Sequence, residues 1–341
     1  MTERRSVVVG VASLGVTLPV ERFPVPPGST SFPQWMEVGV TGVGANVAKA
    51  MAILGGSVEL CTVLGADPAG LLIEADLRAS GLLGVGTVIG HGSSLAVNMT
   101  SADGARRTYS HHHPVNEHGY PIDLFERVIS DADLIAFTTA AFTRELLEPA
   151  RRTNATIAVD TQVIADVSSP NRAAWLDVAD IVFCSHEKLP CPPVAWIRHI
   201  FATYPGCLIA TIGCGARGAV MGLRDGTLVH AATPLPRPLV STIGAGDTLF
   251  ASFLHVWLGM GNPVQALADA VLHAAFTIGD RFPSRGHLSS AQLRDLSRRH
   301  SVEVAITRWD GNRDHRGQPS TPEVEQSLFD SGGGGLGAHG S

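Results

Sequence analysis

Short apolar, β-branched runs alternate with stretches of helical period along most of the chain. Ser6 to Val11, Val58 to Leu64, Leu134 to Thr138, Thr156 to Asp160, Asp180 to Phe183 and Leu208 to Ile212 have the length and composition of core strands. Asn46 to Leu54 and Pro68 to Ala79 carry helical spacing. That alternation predicts an α/β fold with a mainly parallel sheet covered on both faces.

Two interruptions differ in kind. Pro24 to Val40 is punctuated by Pro and Gly, and Leu95 to Ser110 is two alternating runs joined at Ala102-Asp103-Gly104, a hairpin-turn signal. Segments of about residues 15–41 and 94–112 therefore predict a small β lid inserted in the core. A second hairpin is expected at Arg224-Asp225-Gly226, between Ala219 to Leu223 and Thr227 to Ala231. From about Arg308 the pattern collapses into Gly, Pro and Ser, so residues 1–307 read as one domain and 308–341 as a disordered tail.

Composition narrows the function classes. Of 341 residues 45% are hydrophobic and 16% charged, against about 25% charged in an average protein, so the chain has ample core material. Lys49 and Lys188 are the only lysines among 25 basic residues, and neither lies in a Walker-A loop. A net charge of −6 argues against a nucleic-acid partner, which needs clustered positive charge. Five cysteines without C-x-x-C spacing read as reduced thiols rather than disulfides or a zinc site. Arg4-Arg5 before the apolar run Val7 to Val20 has the look of a signal peptide, but Glu3 precedes it and no small-x-small site follows, so a buried first strand is the favoured reading. No apolar stretch approaches the ~20 residues of a membrane span, which points to a cytoplasmic protein with no membrane partner.

The chemistry concentrates in Ser241-Thr242-Ile243-Gly244-Ala245-Gly246-Asp247, ahead of an apolar helix from Thr248 to Leu258. A small-residue turn opening a helix aims unpaired N–H groups and the positive helix end at one point, an anion site suited to a phosphoryl group. Asp247 can serve there as a general base or simply as a helix cap. A second such turn, Thr41-Gly42-Val43-Gly44-Ala45-Asn46, lets backbone approach a ligand while Asn46 offers an amide donor and a carbonyl acceptor.

These two motifs in this order, with the expected lid, resemble the ribokinase-like, or PfkB, carbohydrate kinase family over about residues 6 to 305. The resemblance implies a three-layer α/β/α core with a small β lid, and ATP-dependent phosphorylation of a hydroxyl on a sugar-like molecule with magnesium (Mg2+). It implies that Asp247 deprotonates the acceptor, that the N–H groups of Gly244, Ala245 and Gly246 stabilise the transferring phosphoryl group, and that Gly42, Gly44 and Asn46 hold the acceptor. Thr211 to Gly218, including Gly213, matches the family's nucleotide loop with one residue more than the common form, and His273 and Gly286 fall where adenine-side contacts are expected.

Departures from the family pattern concern the acceptor and the ions. Gly15 and Thr139 stand where relatives carry acids, so Asp160 becomes a candidate acceptor ligand, with a turn-forming role as the rival reading. Ser241 replaces the acid that helps relatives bind a monovalent cation, which removes the basis for expecting potassium activation. Glu187, in Cys184-Ser185-His186-Glu187, is the candidate to organise magnesium through water, with Ser185 the other residue matching that motif. Tyr109 and His111 are expected to close over the substrate, and His111-His112-His113 with His118 reads either as a lid edge or as acceptor or metal ligands. Arg106-Arg107 reads as a solvated turn flank or, for a phosphorylated acceptor, a phosphate clamp. Three functions remain: a sugar kinase, a nucleoside kinase of the same fold, and a non-catalytic ligand-binding regulator. A homodimer through the lid strands is the expected assembly.

Overall fold

The first strand lies at the heart of the sheet. In the computed structural model, which describes residues 4–28 and 30–308, β1 (Arg5–Val9) runs between two parallel neighbours with Val7, Val8 and Val9 fully buried. The apolar run to Val20 is not one buried strand. The chain breaks at Gly10, and β2 (Ser13–Pro19) passes into a second sheet. A Cβ on Gly10 would lie 2.9 Å from the Cα of Gly44, so close backbone contact fixes the break.

β3 (Glu37–Thr41) returns beside β2 and leads into α1 (Val43–Ile53). There follow β4 (Ser57–Gly65), α2 (Pro68–Ala79) and β5 (Thr87–Gly90). α2 starts where the sequence suggests, because Asp67 accepts the Gly70 N–H at 2.7 Å and Pro68 takes the first helical position. The lid hairpin is β6 (Ser94–Thr100) and β7 (Arg106–His111). α3 (His113–His118) and α4 (Ile122–Ile129) lead back to the core through β8 (Leu134–Thr138), α5 (Leu147–Arg151), β9 (Thr156–Val163), α6 (Pro170–Val178), β10 (Ile181–Ser185), α7 (Pro193–Thr203) and β11 (Ile209–Gly213). The hairpin β12 (Ala219–Leu223) and β13 (Thr227–Ala231) precedes α8 (Ala245–Met260), α9 (Pro263–Thr277), α10 (Ser290–Arg299) and β14 (Val304–Arg308).

The large sheet has the order β14-β13-β12-β11-β10-β9-β8-β1-β4-β5, parallel from β11 to β5 and antiparallel beyond. Alternate residues feed opposite layers. Val7 and Val9 join Phe125, Phe137 and Trp196 on one face, while Val8 joins Leu60, Phe250 and Phe253 on the other. Helices cover both faces, giving the three-layer α/β fold with a mainly parallel sheet that the sequence implies. β14 was not legible in the sequence, and the expected tail lies outside the described residues apart from Arg308, which closes that strand.

The second sheet has the order β3-β2-β6-β7. Its period-2 alternation puts Ser13, Ala96, Asn98 and Thr108 toward a cleft over the core, while Val16, Val38, Val97 and Tyr109 form a row on the outer face.

Candidate active site

α8 begins at Gly244, whose φ of 83° is left-handed and whose added Cβ would lie 2.7 Å from Pro283. Only glycine suits that position. The helix ladder starts with Thr248 donating to the Gly244 carbonyl at 2.9 Å, and the Ala245 N–H reaches Thr242 O at 3.4 Å. The N–H groups of Gly246 and Asp247 are thus left without backbone partners at the positive end of a 16-residue helix. Asp247 does not cap the helix. Its Oδ2 accepts a 2.6 Å hydrogen bond from Asn46 Nδ2, 201 positions away in sequence.

Asn46 sits in the first turns of α1, buried, and its amide also donates to Thr41 Oγ1 at 3.3 Å. Its own Oδ1 is buried without a hydrogen-bond partner. Gly42, with φ 95°, allows this approach, because a Cβ there would stand 2.5 Å from Val11 O. Gly44 has a different job from the one expected: its Cβ would lie 2.5 Å from the Gly10 carbonyl carbon, so it packs helix against strand and does not line the cleft.

Burial pushes the Asp247 carboxyl up to about 6, and the Asn46 hydrogen bond and the Arg106 charge only partly oppose it. Asp160, at the end of β9 and buried, is pushed up to about 7 by burial and then by the Asp247 charge. Its Oδ1 accepts the Gln162 N–H at 2.8 Å, so the turn-forming role is real, and the residue also lines the cleft. Gln162 holds φ 59° without being glycine, the sole such residue among those described.

Both carboxylates open into one cleft of about 1880 Å3 between core and lid. Gly213 and Gly218 of the expected nucleotide loop line it. The loop makes a single 3-10 turn, Gly215–Arg217, closed by the Cys214 N–H donating to Gly218 O at 2.7 Å. Thr211 lies inside β11, buried, and does not reach the cleft. His273 is also misassigned by the sequence reading. It is fully buried, with Nδ1 against Ser252 Oγ at 2.7 Å and Nε2 accepting the Leu288 N–H at 2.8 Å, and burial holds it neutral with a pKa pushed down to about 3. The face of α9 that lines the cleft is instead Val271, Ala274, Ala275 and Ile278, a helical stripe from which His273 is turned away. Gly286 packs beside Arg237 and Asp280 outside the cleft.

Tyr109 and His111 are corrected by strand parity. Both are turned from the cleft, which is lined by Thr108 and Ser110 on the other face of β7 and by Arg106 and Arg107 at its turn end. His112 faces the cleft, with Nδ1 at 2.7 Å from Ser94 Oγ, while His113 opens α3. Among the described residues no group of three or more His, Cys, Asp or Glu is placed to hold a metal ion. The lid is latched across the cleft: Arg106 forms an ion pair with Glu187 and donates to Thr242 O at 2.8 Å, and Thr242 Oγ1 donates to Gly104 O at 3.3 Å. Ser241, buried, accepts the Ile243 N–H at 3.4 Å. A Cβ on Gly15 would stand 2.4 Å from Thr41 Cγ2, so any larger residue there would have to displace that side chain.

A family model described as pfkB family carbohydrate kinase matches residues 3–285. A Halopiger xanaduensis protein described as an ATP-dependent ribose-1-phosphate kinase is 28% identical over 282 residues, covering 81% of this chain and 92% of that one. The microbiome-derived acarbose kinase Mak1 superposes with a TM-score of 0.76 at 21% identity, over 87% of this chain and 99% of that one. Ribokinase of Arabidopsis thaliana, solved with ribose and ATP, gives 0.72 at 19% identity over 87% and 99%. Burkholderia thailandensis nucleoside kinase, solved with inosine, gives 0.70 at 16% identity over 86% and 98%. No helix among the described residues is long and apolar enough to cross a membrane.

The raised Asp160 carboxyl has a cost to stability. Between the ordinary carboxylate range and about 7 the folded chain binds a proton that the unfolded chain releases, so stability falls as pH rises through that window. Asp160→Asn removes this penalty. Denaturant unfolding is expected to find the variant more stable than wild type at pH 8, with the difference closing as pH falls toward 4.

Proposed function

The chain is a carbohydrate kinase of the pfkB family with the ribokinase fold, and on that premise we propose that it transfers the terminal phosphoryl group of ATP to a hydroxyl of a sugar or sugar-like molecule, with Asp247 as general base. The observation that carries this reading is the Asn46–Asp247 hydrogen bond beside the unpartnered N–H groups of the α8 turn. Family membership as an ATP-dependent kinase removes the regulator reading.

The residues divide the work between two ends of the cleft. The apolar stripe Val271, Ala274, Ala275 and Ile278, facing the Gly213–Gly218 loop, suits an adenine ring, which needs shape and an apolar wall more than charge. At the other end Asp247 takes the proton of the acceptor hydroxyl. A carboxylate with a pKa of about 6 is ionised near neutral pH yet more basic than an exposed one, the compromise general-base catalysis requires. The turn Gly244–Gly246 with the Asp247 N–H meets the charge on the transferring group, and because these dipoles are already fixed they need no reorganisation.

Magnesium would be carried chiefly by the nucleotide phosphates, the usual mode for this strongly hydrated cation. Glu187 suits the supporting role, as a hard oxygen donor on the cleft wall whose ion-pair partner Arg106 is exchangeable at the surface. When bound, the ion neutralises charge on the phosphoryl oxygens. Closure of the lid excludes water, the competing acceptor.

A nucleoside acceptor is the second reading. It is supported by a fold shared with a nucleoside kinase. The outer lid row of Val16, Val38, Val97 and Tyr109 supports pairing of two copies through their lids, since a flat apolar sheet face invites a cover.

Asp247→Asn is expected to keep nucleotide binding, read by calorimetry, while turnover drops about 10^2- to 10^4-fold, the range for loss of a general base. ADP release across free sugars, sugar phosphates and nucleosides identifies the acceptor class, and near-normal turnover by the variant on every active acceptor would sink the base assignment. Light scattering is expected to give a mass twice that of one chain, and a single-chain mass at micromolar concentration contradicts the lid dimer.

A further inference from the structure

Arg237 stands in the irregular segment between β13 and α8, on the cleft wall, and reaches across to the end of α9. Its Nε–H donates to the Phe276 carbonyl, and its guanidinium carbon lies 4.0 Å from the centre of the Phe276 ring. Carbonyl groups in the last turn of a helix carry partial negative charge, and the last turn of α9 has no basic residue of its own. A cation 39 positions away in sequence therefore completes that helix end. The seat is cut to this side chain. A Cβ on Gly279 would stand 2.3 Å from Arg237 Nε, and one on Gly286 would stand 2.9 Å from Nη2. Nη2 is buried there without a hydrogen bond, 3.8 Å from Asp280 Oδ2.

The segment from Phe276 to Gly286 that closes round the guanidinium supports both halves of the nucleotide end. Ile278 belongs to the apolar stripe that lines the cleft, and its carbonyl accepts the N–H groups of Val240 at 2.8 Å and Ser241 at 2.9 Å, the residues that lead into the α8 turn. Pro283 is the surface on which Gly244 packs at the start of that helix. Ser284 Oγ donates to the Val40 carbonyl at 2.7 Å and Arg285 pairs with Glu37 at 2.8 Å, which ties the same segment to the lid strand β3. A shift of residues 276–286 would therefore move the apolar wall and the anion turn together.

We propose that Arg237 is a positioning residue for the nucleotide: by clasping residues 276–286 it sets the apolar wall of α9 against the N–H groups of the α8 turn, so that adenine and the transferring phosphoryl group are held in register. This rests on the kinase reading and adds the residue that aligns its nucleotide end. Without the guanidinium the Phe276 carbonyl loses a charge-assisted donor and Asp280 loses its counter-charge, and Gly244 and Ile278 shift with the segment that carries them. The Asn46–Asp247 hydrogen bond does not pass through this segment, so the effect falls on the nucleotide and spares acceptor binding.

The test is calorimetric titration of the full chain with ATP and magnesium, and steady-state kinetics on the best acceptor found among sugars, sugar phosphates and nucleosides, for wild type, Arg237→Gln, Arg237→Lys and Gly279→Ala. Arg237→Gln is expected to bind ATP about 10-fold more weakly, the worth of one charge-assisted contact. Its kcat should fall by about 10-fold or more, because the transferring group is misplaced, while KM for the acceptor keeps its wild-type value. Arg237→Lys, which retains the charge without the plane and the Nε–H, should restore part of the loss. Gly279→Ala leaves the arginine in the chain but fills its seat, and should reproduce the Arg237→Gln pattern; it decides the matter should Arg237→Gln not fold. Wild-type ATP affinity in Arg237→Gln or in Gly279→Ala overturns the proposal, even with a lowered melting temperature, and so does an equal rise in KM for both substrates, since each marks a residue that only stabilises the fold. Either result leaves the kinase reading standing. Absence of ATP binding by wild type fails the kinase reading, and this proposal with it.

Discussion

The 2.6 Å hydrogen bond from Asn46 to Asp247 is the contact on which the rest of the site depends. It joins the first turns of two helices that the chain builds 201 residues apart, so it exists only when the parallel sheet has put α1 and α8 side by side. Both helices arrive by glycine turns that no larger residue could make: Gly42 against Val11 O, Gly44 against Gly10, and Gly244 against Pro283. Backbone approach thus comes first, and the side-chain chemistry follows from it.

That approach sets an electrostatic conflict that the fold sustains. Burial in the sheltered cleft raises both carboxyls, and the Asp247 charge adds to the rise at Asp160, while the Asn46 amide and the Arg106 charge pull Asp247 back. The two carboxyls therefore titrate as a coupled pair above the ordinary carboxylate range. A pair perturbed in this way is a common mark of acid–base sites, where stability is given up for a tuned proton affinity. The lid latch of Arg106, Glu187 and Thr242 closes over the same charges.

What the sequence revealed followed the strength of local signals. Leu134–Thr138, the hairpin 219–231 and the start of α2 at Pro68 matched expectation because β-branched runs, a D-G turn and an Asp-Pro cap each specify structure within a few residues. The two glycine motifs were legible for the same reason. Phase was harder to read. Tyr109 and His111 lie one position off the cleft-facing residues Thr108 and Ser110, and His273 off the stripe 271, 274, 275 and 278, because period alone does not say which face meets a ligand. The run from Val7 to Val20 hid its break because the contact that makes it, Gly10 on Gly44, is distant in sequence.

The most direct measurement is the pH dependence of kcat/KM for wild type and Asn46→Ala on the best acceptor. The free enzyme's base should give wild type an acidic limb near pH 6, with activity lost as Asp247 takes up its proton. Since the Asn46 donor favours the carboxylate form, its removal should move that limb to higher pH. A limb that stays where it was, or none between pH 5 and 7 in wild type, would contradict Asp247 as the base and Asn46 as the residue that tunes it.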